Sequence, residues 1–461
     1  MRRRDFARYL GWAGGALAAG HAAPAGAAPL VRALGRDPAS AHLSNGAARV
    51  APALRVDAAR LDGWLAAMGA FGRNPQGGVT RTAYSDADRE GRQYVRQLMA
   101  AAGLDVRLDA AGNIFGRRAG REHTLSPILF GSHVDSVPAG GNYDGPLGTL
   151  AAIEVARTLG EHGVATRHPL EVVAWQNEEG GLVGSRIASG EFPARELDRV
   201  AVSGKTLRDG IAFLGGNPAA LESARRRRGE IAAYLELHIE QGGTLEREHV
   251  DIGVVEGIVG IWQWTVTVDG FANHAGTTPM DRRQDALLSA AHFIEMVNRV
   301  VRSEPGRQVG TVGQIRAEPG APNVIPGRVV MSLELRDLDA AKVARLYRRI
   351  GDESRAIGRD GGTTVAFAPI TEHAPAPTDP RMRTIIADAA RGLGLSSRVL
   401  PSGAGHDAQE MARLAPTGMI FVPSVGGISH SPREFTRPED CANGANVLLQ
   451  AVLAVDGRTF T

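Results

Sequence analysis

Along residues 127–175 the chain repeats a simple alternation of short apolar runs, glycine- or acid-containing breaks, and longer stretches with apolar positions at helical spacing. Pro127–Phe130 and Leu170–Trp175 read as buried strands, with a helix over Gly148–Leu159 between them. Ahead of them, Val56–Met68 and Asp86–Ala102 read as amphipathic helices. Alternation of this kind predicts an α/β fold, a sheet covered by helices. Near Gly257 the texture changes. Ile261–Val268 mixes β-branched and aromatic residues, as a strand with one exposed face does. A helix over Gln284–Arg302, a strand over Arg328–Arg336, a helix over Ala340–Ile357 and a strand over Thr363–Phe367 complete a small α+β unit. From Pro375 the strand–helix texture returns, with Met419–Pro423 as another buried strand. The expected organisation is a main domain over 56–256 and 373–461, interrupted by a smaller domain over 257–372.

Composition narrows the class. A chain of 461 residues exceeds what one hydrophobic core usually serves. Hydrophobic content of 43% and charged content of 22% fit a globular protein. The 52 basic and 50 acidic residues net to +2, without the basic excess of a nucleic-acid binder. The one basic cluster, Arg225–Arg228, is expected on a solvated helix face. Cys441 is the single cysteine, so no intrachain disulfide and no thiolate cluster can form. Any metal must be held by His, Asp or Glu, which gives the 13 histidines weight.

The N-terminus reads as a targeting segment. Arg3-Arg4-Asp5-Phe6 resembles a twin-arginine export signal, and Leu10–Ala19 follows as a weakly apolar stretch too short to span a membrane. Ala25-Gly26-Ala27, with Ala23-Pro24-Ala25 as its rival, offers small residues for cleavage. Residues 1–27 are therefore set apart as a signal. The expectation is a periplasmic protein, exported folded, with no stable membrane association.

Five constellations carry candidate chemistry. His133 and Asp135 follow the strand Pro127–Phe130, where open α/β sheets place their ligands, and Asp135 is positioned to orient the imidazole. The glycine-rich stretch Gly140–Gly148 presents one carboxylate, Asp144. Glu178 and Glu179 follow the strand Leu170–Trp175, and adjacent acids there leave one free while the other binds. In Tyr234–Gly242, alternation puts Glu236, His238 and Glu240 opposite Leu235, Leu237 and Ile239. His430 lies in a glycine-rich loop after Met419–Pro423. Imidazole and carboxylate donors without thiolate suit Zn²⁺, Mn²⁺, Co²⁺ or Ni²⁺.

The segments GSHVDSVPAGGNYDGPLGTL, NEEGG, YLELHIEQG, NHAGTTPMDRRQDAL, GAGHDA and VPSVGGISH, in that order, resemble the hydantoinase/carbamoylase branch of the M20 metallopeptidase family. The branch contains N-carbamoyl-L-amino acid hydrolases, allantoate amidohydrolases and β-ureidopropionases. The resemblance implies two metal ions per subunit, ligated by His133, Asp144, Glu179, His238 and His430. Asp144 bridges them, His133 and His430 fall to different ions, and so do Glu179 and His238. It implies Glu178 as general base and the smaller domain as a lid that forms a homodimer. It further implies that His274 reaches the partner's site to steady the oxyanion. Gln241 would meet the ureido end, and Asn323 and Arg336 the substrate carboxylate. His406 and Asp407 belong to a motif near the site. The implied reaction is hydrolysis of a linear ureido C–N bond with release of ammonia. The rivals are a dipeptidase or aminoacylase of the wider family and a non-catalytic binding protein.

Overall fold

The computed structural model describes residues 53–458, so the signal segment expected at 1–27 lies outside the described residues. The main sheet has nine strands. Four central strands run parallel, in the spatial order Leu170–Trp175, Ile128–His133, Ala233–Ile239 and Thr417–Val422. Antiparallel strands flank them, with Asp105–Leu108 and Ile114–Arg118 on one side and Ile252–Ile258 and Ala376–Pro377 on the other. Ser397–Ser402 adds to Ile252–Ile258 in parallel. The sheet is therefore mixed, and its parallel centre is buried on both faces, as parallel strands require.

Alternation along these strands divides two cores. Phe130, Val172, Leu235, Leu237 and Ile420 pack beneath the helices Ala58–Met68, Pro146–Glu161 and Pro438–Asp456. Leu129, Val173, Trp175, Tyr234 and Phe421 face the opposite side. Glu236 and His238 share that second side and are fully buried, so polar groups enter the interior on the strand itself.

The chain order of the parallel strands creates an opening. From Ile128–His133 the chain moves to Leu170–Trp175 on one side and then to Ala233–Ile239 on the other. Pairing between Ile128–His133 and Ala233–Ile239 runs from Ile128↔Ala233 to Phe130↔Leu235 and then stops. Beyond it, at the carboxyl ends, lies a crevice of the kind that forms where strand order reverses.

The second sheet is antiparallel, in the order Ile315–Glu318, Arg328–Asp337, Gly260–Asp269 and Thr364–His373, with Val309–Thr311 also on Arg328–Asp337. Helices Ala286–Ser303 and Ala340–Gly361 cover it, and Trp264 stacks on Tyr347 with ring centroids 4.4 Å apart. The main sheet keeps the chain to Ile258 and takes it back at Ala376, so this insert occupies 260–373.

One local reading needs correction. Arg225–Arg228 do not form a helix face but follow a short 3-10 turn, Leu221–Ala224, as loop. Arg226 there ion-pairs with buried Glu171 at 2.9 Å, and Arg228 donates to the Arg413 carbonyl, so the cluster is partly structural. Buried Arg81 is a second cation that periodicity does not flag. It donates to the carbonyls of Val134, Met68 and Phe71, while Ser136 exchanges hydrogen bonds with its backbone. This pins the turn that carries Asp135.

Candidate metal centre

Four strand ends deliver the functional groups. His133 closes Ile128–His133, and Glu178 and Glu179 follow Trp175. His238 sits one residue before the end of Ala233–Ile239, and His430 lies in the loop beyond Val422. Asp144 stands at the start of the helix Pro146–Glu161, one residue before Gly145. Gly145 has φ +82°, and a Cβ there would lie 2.4 Å from the His133 ring. The glycine thus serves both the backbone turn and the close approach of imidazole to carboxylate.

Asp144 is the shared member. Its Oδ1 lies 3.5 Å from His133 Nε2 and 3.1 Å from His238 Nε2. Its Oδ2 lies 3.3 Å from His430 Nε2, which is 3.4 Å from Glu179 Oε1. His133, Asp144 and His238 form one group and Asp144, Glu179 and His430 another, the donor atoms of each lying within 4.8 Å of one another. This division assigns His133 with His238 and Glu179 with His430, a pairing that sequence leaves open.

The donor set fits divalent cations. His238 Nε2 and Glu179 Oε1 are buried with no hydrogen-bond partner among the described residues, and orphaned buried polar atoms of this kind need an explanation. Both face the shared Asp144 or its neighbours. The opposite imidazole nitrogens are already engaged, His133 Nδ1 with the Asp135 carbonyl at 3.1 Å and His238 Nδ1 with the Ile239 carbonyl at 2.9 Å. Backbone carbonyls there fix the Nδ1–H tautomer and free Nε2 as a ligand.

Asp135 acts differently from expectation. Its backbone carbonyl, not its carboxylate, meets His133, whose Nδ1 is 3.8 Å from Asp135 Oδ1. The carboxylate accepts the backbone N–H groups of Glu178 and Glu179, both at 3.2 Å. It therefore orients the acidic pair.

Burial raises the Glu178 carboxyl well above the usual carboxylate range, and Glu179 and Asp407 add to the rise against the opposing His133. Glu179 is pushed up to about 7 by burial and by Asp144. Burial alone would raise Asp144 as well, but His238, His133 and His430 outweigh it and hold it well below its ordinary value. Glu178 Oε2 stands 3.8 Å from His133 Nε2 and belongs to neither donor group.

The remaining predicted residues divide. Gln241 donates to Asp144 Oδ2 at 2.6 Å and so lies at the centre. His406 is buried, edge-on to His238 with centroids 4.5 Å apart, and its Nε2 meets Ser402 Oγ. Burial and His238 hold it well below the usual imidazole value. Asp407 is buried beside Ser185. Arg336 pairs with Glu334 at 2.7 Å and donates to the Gly403 carbonyl. His274 and Asn323 are exposed at a two-stranded ribbon of the insert, Asn273–His274 with Val324–Ile325, and His274 hydrogen-bonds with Asn273 and with Gly276, Thr277 and Thr278 of the turn that follows. A cleft of about 780 Å³, lined by Gln241, Ser429, His430, Gly403 and Arg398, opens outside the cluster.

Three supporting residues escape the sequence reading. Glu434 and Ser429 hold Asp144 and the His430 loop. Ser132 donates to Glu236, whose carboxylate also accepts Tyr234 OH and the Ala408 N–H. A hydroxyl or carboxylate within a few residues of a ligand was the signal available for each.

Because Asp135 aligns two acidic residues through backbone hydrogen bonds, Asp135→Ala is expected to weaken divalent-cation binding by about 10- to 100-fold, as loss of a ligand's supporting partner does. Calorimetric titration with Mn²⁺ measures this; unchanged affinity would show that the turn holds itself.

Residues 129–454 match the family model for peptidase family M20/M25/M40. An N-carbamoyl-L-amino acid amidohydrolase of Geobacillus stearothermophilus is 41% identical, over 84% of this chain and 96% of its own length. A ureidoglycolate hydrolase of Arabidopsis thaliana is 37% identical over 87% of each. The crystal structure of a hydantoinase/carbamoylase family amidase from Burkholderia multivorans superposes with a TM-score of 0.82 at 39% identity, covering 88% of this chain and 100% of that one. With the strand-end donor cluster and the inserted α+β unit, these likenesses place the chain in peptidase family M20/M25/M40, in its hydantoinase/carbamoylase branch.

Proposed function

We propose that this enzyme hydrolyses a linear ureido C–N bond in a small N-carbamoyl carboxylate, using two divalent cations per subunit. The observation that carries the reading is the free carboxylate Glu178, held 3.8 Å from His133 at the edge of two donor groups that share Asp144. Relatives named for N-carbamoyl-L-amino acids and ureidoglycolate support the substrate class. N-carbamoyl-L-amino acids, allantoate and β-ureidopropionate are the candidates.

A ureido carbonyl resists attack because nitrogen lone pairs on both sides donate into it. Two cations held by His133, Asp144, Glu179, His238 and His430, of the Zn²⁺, Mn²⁺, Co²⁺ or Ni²⁺ type, would supply Lewis acidity and acidify a water. Glu178 takes the proton of the attacking water at a carboxylate oxygen and returns it to the leaving nitrogen. Its raised pKa suits a group that must hold that proton. In this reading Gln241 and His406 meet the reacting end, and Arg336 offers a planar fork for the substrate carboxylate, with Asn323 of the insert as a second polar partner.

The insert supports a homodimer. Phe271, Met280 and Leu288 are exposed on it, and His274 uses Nδ1 as an acceptor for Gly276 and Thr277, leaving Nε2 to donate outward. In this reading Nε2–H stabilises the oxyanion in the partner's site. The signal at residues 1–27 would deliver the folded protein to the periplasm.

Ammonia release from the Mn²⁺-loaded enzyme should appear with one of N-carbamoyl-L-amino acids, allantoate, ureidoglycolate or β-ureidopropionate. Glu178→Gln should lower it by about 10²- to 10⁴-fold. Dipeptide cleavage with silence on every ureido compound would move the enzyme to the peptidase side of its family. Mixing inactive Glu178→Gln chains with inactive His274→Ala chains should restore activity, because one site of the mixed dimer regains both groups. No recovery on mixing would place His274 outside the partner's site. Fractionated cells should hold the protein in the periplasm, shortened by about the 27 residues of the signal; full-length protein confined to the cytoplasm would defeat the export reading.

A further inference from the structure

Glu434 ties together two ligand-bearing loops that lie far apart in the chain. The residue is 6% exposed. Its Oε1 accepts the N–H groups of Tyr143 at 2.8 Å and Asp144 at 3.1 Å. Its Oε2 accepts the Ser429 hydroxyl at 2.9 Å and the His430 N–H at 3.3 Å. One carboxylate thus takes two donors from each loop, and nothing in the reaction described above uses it.

Two further observations show that the loops are built around this carboxylate. A Cβ on Gly141 would lie 2.1 Å from Glu434 Oε1 and 2.3 Å from Glu434 Cβ. Gly141 does not have a left-handed backbone, so its missing side chain answers to Glu434 and not to the turn. His430, by contrast, has φ +53°. For a residue other than glycine that conformation costs about 1–2 kcal/mol and persists only where the surroundings over-determine it. The His430 side chain is 49% exposed, so packing alone does not impose the conformation. Its N–H on Glu434 and the neighbouring Ser429 hydroxyl do.

We propose that Glu434 is a positioning residue that holds His430 in its strained conformation and so sets the second cation position, the one formed by Asp144, Glu179 and His430. The proposal rests on the two-cation reading. The first position depends on it less. His133 and His238 are oriented by the carbonyls of Asp135 and Ile239 within the buried sheet, and Asp144 is also held by Gln241.

The test is cation binding by Glu434→Gln. Glutamine keeps the shape but turns an NH₂ toward backbone N–H donors on one of the two loops. The purified full-length protein is stripped with a chelator and titrated with Mn²⁺, with calorimetry for affinity and electron paramagnetic resonance for coupling between neighbouring ions. Wild type should take up two ions with a coupled signal. Glu434→Gln should keep one site near wild-type affinity, lose about 10- to 100-fold at the other, and show the six-line spectrum of an isolated ion. Gly141→Ala should behave alike while leaving Glu434 chemically intact. Two ions bound at wild-type affinity by Glu434→Gln would overturn the proposal. So would parallel loss of both ions with a lowered melting temperature, which would make Glu434 a general support of the fold. Fewer than two ions in the wild type would instead sink the two-cation reading beneath it.

Discussion

The structure depends on one shared carboxylate. Asp144 presents Oδ1 to the imidazoles of His133 and His238 and Oδ2 to His430, so one side chain fixes the spacing of both donor groups. Around it lie further buried acids, Asp135, Glu178, Glu236, Asp407 and Glu434. Like charges at such density are costly, and burial multiplies the cost. The fold answers with directed donors. Asp135 takes two backbone N–H groups, Glu434 takes three with a hydroxyl, and Glu236 takes two hydroxyls and an N–H. Burial still raises Glu236, Asp407 and Glu434, as it raises Glu178 and Glu179, so the donors offset only part of the cost.

The ends of parallel strands are where this arrangement can be assembled. Strands Leu170–Trp175, Ile128–His133, Ala233–Ile239 and Thr417–Val422 run the same way, so all their carboxyl ends meet on one edge. The halt in pairing after Phe130↔Leu235 opens a crevice at that edge. Apolar side chains beneath it are buried in continuous cores, which lets short loops above carry strained residues such as Asn177, Gln241 and His430. Strain at three residues beside the centre is affordable only on so rigid a base.

Much of this is legible in the sequence because most of the candidate ligands lie in or just after a strongly apolar run, Asp144 in its glycine-rich loop being the exception. Leu170–Trp175 is read with the bounds it has, and the alternation of Tyr234–Ile239 puts Glu236 and His238 on the side they occupy. The insert is equally legible, since its amphipathic helices and β-branched strands carry their own periodicity. What sequence hides are hydrogen bonds between distant loops. Beyond its nearness to His430, nothing in the run from Ser431 to Phe435 announces that Glu434 reaches Asp144, and nothing near Asp135 tells its carbonyl from its carboxylate. Arg225–Arg228 looks like solvated charge because Glu171, its partner, lies on a buried strand where acids are rare.

In the proposed reading, the insert's contact with the main domain connects binding with chemistry. Arg336, on the insert, donates to the carbonyl of Gly403. The turn containing Gly403 holds His406 through Ser402, and His406 packs edge-on against His238. Glu334, braced by Gln263, occupies another edge of the same guanidinium. An arginine that exchanges the Gly403 carbonyl for a substrate carboxylate would therefore release the turn beside His238 as it captures the substrate. Such a release raises turnover only as far as it favours the transition state over the bound substrate. The path from Arg336 to His238 runs through Gly403, Ser402 and His406 of the main domain, so it can carry that coupling without any large change in the rigid sheet below.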